Sequence, residues 1–180
     1  MIAAYVGEEP VTVAAVEALA AAMRDGPYAA RLPHPSSAEG RNLRRWLVQV
    51  LAATAVVEQE ARRLGLPPVE TSGPPALGRA LRLGGVAAAV AAARPDVYAA
   101  VTAEVAVGED AVRDYWERNR DRHPGPLAES RDAVAAVLGQ AGRDRHFGRW
   151  LDARCAALVR LMPGFEHPGD PRQPDYAHHH

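Results

Sequence analysis

A long amphipathic run between two proline-rich stretches limits the possible folds most strongly. Across residues 39–64, apolar side chains recur at three- and four-residue spacing, which is the period of an α-helix packed along one face. The predicted core-facing residues of this helix are Leu43, Trp46, Leu47, Val50, Leu51, Val57 and Leu64. Gly65 ends the run, and the four prolines of residues 67–75 predict an extended connection. A helix of this length needs other helices to cover its apolar face, so the sequence predicts a mainly α-helical protein.

The segments on either side predict further helices. Thr12 precedes an apolar stripe over residues 13–23 and is predicted to cap that helix, while Ser36 and Ser37 precede the central helix. A last long helix is predicted from about residue 127 to residue 162, weakened by glycines in its middle. Three shorter helices are predicted at residues 76–93, 96–102 and 109–119.

Two short segments predict a small amount of sheet. Residues 2–6 are apolar and lead into a turn at Gly7, and residues 104–107 have the composition of a second strand. Because a lone strand is rarely stable, the two are predicted to pair. The expected fold is therefore mainly α, with several helices and at most a two-stranded sheet. It forms one helical domain over residues 1–162, followed by an irregular tail rich in proline and histidine over residues 163–180.

Charge and cysteine content exclude several classes of function. All 21 basic residues are arginine, which excludes Schiff-base chemistry, a P-loop lysine and a lysine general base. The net charge of −1 would not gather nucleic acid or anionic lipid, so we expect neither nucleic acid nor membrane as a partner. Cys155 has no second cysteine to pair with, and the first residues do not resemble a signal peptide. These features predict a cytoplasmic location. The most apolar stretch, residues 86–105, is interrupted by Arg94, Pro95 and Asp96, so no transmembrane segment is predicted.

Three segments share their pattern with one protein family. Residues 4–12 read AYVGEEPVT, residues 43–66 end in EARRLGL, and residues 105–123 contain YW followed by NRDRH. Together they resemble the helical lobe of the SurA and PrsA group of parvulin-type chaperones. In that group a prolyl isomerase domain follows the third segment, whereas here only a few residues separate His123 from the last predicted helix. The resemblance implies a stand-alone lobe, similar to a SurA N-terminal domain, that binds polypeptide segments or apolar molecules without isomerase activity.

Aromatic side chains on the predicted helices are the first candidate site. Aromatic rings bury a large area and present a polar edge that orients a ligand, so they suit a cavity between helices. The candidate ligand-binding residues are Trp46, Tyr115, Trp116, Phe147 and Trp150. The alternative is that these rings, placed at helical spacing, simply form the core.

The tail is the second candidate site. Imidazole and carboxylate groups together suit zinc, nickel, copper or non-haem iron. The candidate ligands of such a divalent transition metal are His167, Asp170, Asp175, His178 and His180. The alternative for residues 178–180 is a purification-tag remnant or a solvated chain end.

The sequence therefore predicts one of two functions. The first is a stand-alone, SurA-like, chaperone-like binding protein for a peptide or an apolar small molecule. The second is a small tailoring enzyme, metal-dependent or cofactor-free, that uses a cavity between its helices together with the histidine-rich tail. The residues do not decide whether the chain is an enzyme.

Overall fold

The computed structural model describes residues 1–27, 29–69 and 85–176. Their fold is mainly α-helical, as the sequence predicts. The strands are β1 (Ile2–Val6), β2 (Glu9–Thr12) and β3 (Val159–Leu161). The α-helices are α1 (Val13–Arg24), α2 (Ala38–Arg63), α3 (Val86–Ala93), α4 (Pro95–Val101), α5 (Glu109–Arg118) and α6 (Leu127–Leu158). Residues 76–84 of the predicted third helix lie outside the described part of the chain.

The predicted helix caps of α1 and α2 are confirmed. The hydroxyl of Thr12 accepts a hydrogen bond from the backbone N–H of Ala15 at 3.1 Å, and that of Ser37 accepts one from Gly40 at 3.0 Å. Each hydroxyl satisfies a backbone donor that the first turn of a helix leaves without a partner. These two caps set where the first and the central helix begin.

The sheet has three antiparallel strands, in the order β2–β1–β3, so the prediction of at most two strands is wrong. β1 and β2 form a hairpin whose turn contains Gly7 at a φ of 59°, a left-handed conformation that glycine adopts without strain. On the other side, β3 pairs with β1, with Ala4 opposite Leu161 and Val6 opposite Val159. The last helix therefore ends at Leu158 and not at residue 162, because Val159 turns to extended backbone and supplies hydrogen-bond partners for β1.

The predicted strand at residues 104–107 is also wrong. This segment has no regular secondary structure, and it lies against α6, where two glycines leave room for its valine side chains. A Cβ atom on Gly139 would lie 3.6 Å from a methyl carbon of Val107, and one on Gly142 would lie 3.3 Å from a methyl carbon of Val105. The glycines of α6 thus permit a close approach of this segment, which takes the place of strand pairing.

Helix α2 lies at the centre of the molecule and packs against α1, α3, α6 and β1. Of its predicted core residues, Leu47, Val50 and Val57 are buried. The residues Leu43, Trp46 and Leu51 are half-buried at the edge of the core. Leu64 is 39% exposed, because the helix has ended before it at the protein surface.

No helix in the described part of the chain has both the length and the apolar character needed to cross a membrane.

A buried arginine joins α2 to α4. The side chain of Arg94 is 2% exposed, and its guanidinium donates to both carboxylate oxygens of Asp96, at 3.0 and 2.8 Å, and to Glu58 at 2.5 Å. It also donates to the backbone carbonyl of Pro67 at 3.3 Å. The hydrogen bonds from Arg94 lower the pKa of Asp96 to about 2. Arg94 therefore connects the end of α2, the chain that follows it and the start of α4.

Candidate functional site

A cavity of about 420 Å³ lies between α2, α6 and β3 and is partly open to solvent. Protein interiors are packed almost as densely as organic crystals and rarely contain voids much larger than a water molecule. A space of this size is therefore a feature of the surface rather than a packing defect. Its walls are formed by Gln49, Ala53, Val86, Leu151, Asp152, Cys155, Ala156, Val159, Leu161 and His167.

Small side chains on the two long helices leave this space unfilled. Ala53 is 3% exposed on α2, and Ala156 lies on α6 at the mouth of the cavity. Leucine or methionine at these positions would extend several carbon atoms into the volume between the helices. The cavity therefore depends on alanine at these two positions and on the turn of the chain from α6 into β3.

Three polar side chains, those of Gln49, Asp152 and His167, border this apolar space. The Nε2 atom of Gln49 is buried and has no hydrogen-bond partner among the described residues, which is costly for an amide. In His167, Nδ1 accepts a hydrogen bond from the backbone N–H of Gly169 at 3.0 Å, so the neutral ring carries its proton on Nε2. The cavity thus combines apolar walls with an amide, a carboxylate and an imidazole, and ligand sites commonly combine apolar walls with a few polar groups.

Cys155 also lines the cavity, but its thiol is not activated. Burial, and after it the negative charge of Asp152, raise the pKa of Cys155 to about 11. A thiol with this pKa remains protonated at neutral pH and is a poor nucleophile. Cys155 therefore contributes a small apolar surface to the cavity.

The chain after β3, residues 163–176, forms a C-terminal strap whose far end is fixed to the start of α2. Arg41 Nε donates to both carboxylate oxygens of Asp175, at 3.0 and 2.9 Å, and Arg45 Nη1 donates to one of them at 2.7 Å. Asn42 donates to the backbone carbonyl of Asp175 at 2.9 Å. The side chain of Asp175 is only 7% exposed, and the hydrogen bonds from Arg41 and then Arg45 lower its pKa. We call this set of contacts the latch.

Gln173 braces the latch from within the strap. It is 4% exposed, and its Oε1 accepts a hydrogen bond from the backbone N–H of Asp175 at 2.9 Å. Its Nε2 donates to Asn42 Oδ1 at 3.2 Å and to the backbone carbonyl of Pro168 at 3.3 Å. The brace therefore connects the latch both to α2 and to the part of the strap next to the cavity.

The structure brings only some of the predicted aromatic residues together. The rings of Phe147 and Trp150 lie 5.3 Å apart, centroid to centroid, and Phe147 is 1% exposed. Tyr115 and Trp116 lie on α5, whose main packing partner is α6, and Arg120 covers the Trp116 ring at 3.7 Å from its centroid. Neither these four rings nor that of the half-buried Trp46 line the 420 Å³ cavity. Ligand contact by the five aromatic residues stays a prediction.

Two of the three predicted metal ligands in the described tail, Asp170 and Asp175, bind arginines, whereas His167 accepts a hydrogen bond from the backbone of Gly169. Both oxygens of Asp170 accept hydrogen bonds from Arg172, at 3.0 and 2.9 Å, and Asp175 forms the latch. The described residues contain no group of three or more histidine, cysteine or acidic side chains arranged to hold a metal ion. Residues 178–180 lie outside the described part of the chain, so the metal hypothesis stays a prediction.

Sequence reasoning did not identify the cavity. The signal that was available is the pair of alanines, Ala52 and Ala53, in the middle of the apolar face of α2, where larger side chains are usual. Asp152 and Ala156 gave no signal, because their role depends on where α6 crosses α2. Of the cavity residues, only His167 was a predicted site residue, and it was predicted as a metal ligand.

Comparison with known proteins gives one short match. Residues 2–39, which include β1, β2, α1 and the first residues of α2, match a family described as "Family of unknown function (DUF7158)". No curated protein and no solved structure matches the chain. The match ends before the residues that line the cavity and form the latch.

Proposed function

We propose that this protein binds an apolar small molecule in the cavity between α2, α6 and β3. The observation that supports the proposal is the cavity itself, because its volume of about 420 Å³ falls within the range of small-molecule sites, roughly 300–1,000 Å³. Most of its walls are alkyl groups, whose contact with an apolar ligand removes water from both surfaces and is favourable. Gln49 and His167 lie where they can orient a polar group of that ligand.

This function is a narrower form of the one that the chaperone resemblance implies. A SurA-like lobe without isomerase activity would bind polypeptide segments or apolar molecules, and a cavity of this volume suits a single small molecule or a single large side chain. The cavity therefore favours a compact apolar ligand over an extended peptide. The proposal requires neither a metal ion nor a covalent step, because contact between apolar surfaces is enough to hold such a ligand.

The test uses N-phenyl-1-naphthylamine, an uncharged probe whose fluorescence rises in apolar surroundings. We expect saturable binding to the unmodified protein. In Ala156→Met the new side chain occupies part of the cavity, so the affinity should fall by about tenfold or more, equivalent to about 1.4 kcal/mol of binding free energy.

The matched control is Ala157→Met. Ala157 is the next residue of α6, is exposed like Ala156, and does not line the cavity. Neither substitution should change the free energy of unfolding by more than about 0.5 kcal/mol, because both sites are on the surface. Absence of saturable binding, or equal affinities for the two variants, would contradict the proposed function.

A further inference from the structure

We infer that the C-terminal strap is a releasable wall of the cavity, and that the latch at Asp175 controls how fast a ligand enters and leaves. This inference rests on the proposed function, because it concerns the regulation of the same cavity. It starts from the position of His167, which belongs both to the cavity wall and to the strap.

The latch is a charge-assisted contact with defined geometry. Arg41 and Arg45 are four residues apart on α2, so their side chains emerge from the same face of the helix one turn apart. Both guanidinium groups donate to the one carboxylate of Asp175, while Asn42 binds the backbone carbonyl of the same residue. Hydrogen bonds between charged groups are stronger than neutral ones and lose that strength when the charge is removed. Both charge-assisted contacts of the latch therefore depend on a single carboxylate.

A continuous set of hydrogen bonds connects the latch to the cavity wall. The backbone N–H of Gln173 donates to the carbonyl of Asp170 at 3.2 Å, and the backbone N–H of Asp170 donates to the carbonyl of His167 at 2.8 Å. Gln173 also contacts Pro168 through its side chain. Because these turns join Asp175 to His167 without a gap, release of Asp175 frees the segment that holds the imidazole against the cavity.

The strap is held mainly by polar contacts. Its release should therefore require much less free energy than unfolding of the whole domain. Within residues 163–176, the side chains of Gln173 and Asp175 are buried and polar, and Phe165 packs only partly against the core. Next to the latch, Arg45 Nε and Glu166 Oε2 are both buried, lie 3.8 Å apart and have no hydrogen-bond partner among the described residues. Segments with few buried apolar contacts open locally at a small fraction of the global unfolding free energy.

The test compares Asp175→Asn with Asp170→Asn. The first substitution keeps the shape of the side chain but removes the charge that two arginines bind. The second makes the same chemical change in the same strap, at a residue whose side chain contacts Arg172 and not α2. Stopped-flow fluorescence with N-phenyl-1-naphthylamine gives the association and dissociation rates, and hydrogen exchange of residues 166–176 reports release of the strap.

In Asp175→Asn we expect faster exchange in the strap and rises of about tenfold in both rates, corresponding to about 1.4 kcal/mol lost from the latch. The equilibrium affinity should change much less than either rate. Asp170→Asn should behave like the unmodified protein. Gln173→Ala, which removes the brace and leaves the charges in place, should increase both rates in the same direction.

The outcomes separate this inference from the proposed function. If the unmodified protein does not bind the probe, both are wrong, whatever the hydrogen exchange shows. If the probe binds and Asp175→Asn releases the strap without changing either rate, ligand binding stands and control by the strap is wrong. Unchanged hydrogen exchange in Asp175→Asn would show that the carboxylate is not the latch.

Discussion

Replacement of Arg94 tests whether an interior arginine is essential to the packing of α2 against α4. In Arg94→Met the new side chain keeps most of the apolar contacts but makes none of the hydrogen bonds to Asp96, Glu58 and Pro67. Removing one partner of a buried ion pair typically costs 3–5 kcal/mol, because the remaining charge has no compensation. Here the side chains of Asp96 and Glu58 are 31% and 28% exposed and regain some hydration, so we expect a loss of about 2–3 kcal/mol.

The assay is urea unfolding followed by circular dichroism at pH 7. A loss of this size is a large part of the 5–15 kcal/mol that usually stabilises a domain. The control is Arg62→Met, because Arg62 is 60% exposed and its ion pair with Glu9 lies at the surface. That control should change stability by no more than about 0.5 kcal/mol. A loss below about 1 kcal/mol in Arg94→Met would refute the argument that the buried hydrogen bonds of this side chain stabilise the fold.

The same site has a pH dependence whose sign follows from the pKa of Asp96. Because folding lowers this pKa to about 2, from about 3.9 in an unfolded chain, the ionised carboxylate stabilises the folded protein above the unfolded value. This contribution is lost as the pH falls through that interval. Arg94→Met should therefore lower the stability at pH 7. It should also make the further loss of stability between about pH 4 and pH 2 smaller than in the unmodified protein.

Two further predictions concern the cavity and the start of α2. Alkylation of Cys155 by iodoacetamide should be slow at pH 7 and should accelerate as the pH rises toward the thiol pKa of about 11. Bound N-phenyl-1-naphthylamine should slow the reaction, because Cys155 lines the cavity. Fast labelling at pH 7 would contradict the buried position of the thiol. Gly40→Ala should lower the melting temperature sharply, because the added Cβ would lie 2.0 Å from the backbone oxygen of His34. The control is Gly148→Ala in α6, where the added Cβ meets open space. This control should stabilise the protein by about 0.5–1 kcal/mol. Equal melting temperatures for the two variants would show that the backbone before α2 moves aside.

Local signals account for the parts of the fold that were predicted well. Thr12 and Ser37 cap helices that follow directly, and the periodic apolar residues of α2 place its ends within one residue of the prediction. These features depend on neighbours in the sequence. The strand β3 does not depend on its neighbours in the sequence. Residues 159–161 continue an apolar helical pattern, and they are extended because they pair with the free edge of β1.

The candidate site was predicted less well for the same reason. Asp175 was a predicted site residue, but its partners Arg41 and Arg45 lie more than 100 residues away in the sequence, and no local pattern connects them. A carboxylate near histidines predicts a metal ligand from the sequence, while the fold supplies two guanidinium groups for it. The cavity likewise depends on how two helices cross, which side-chain spacing within either helix does not specify.

The pairing of β1 with β3 has a consequence for the order in which the protein forms. Ala4 and Leu161 are opposite each other in the sheet, so one edge of β1 has no partner until residues 159–161 have been synthesised. Contacts between residues so distant in the sequence form slowly, because a long loop must close first. Val159 and Leu161 belong both to β3 and to the cavity wall, so the binding space cannot form before this strand has joined the sheet.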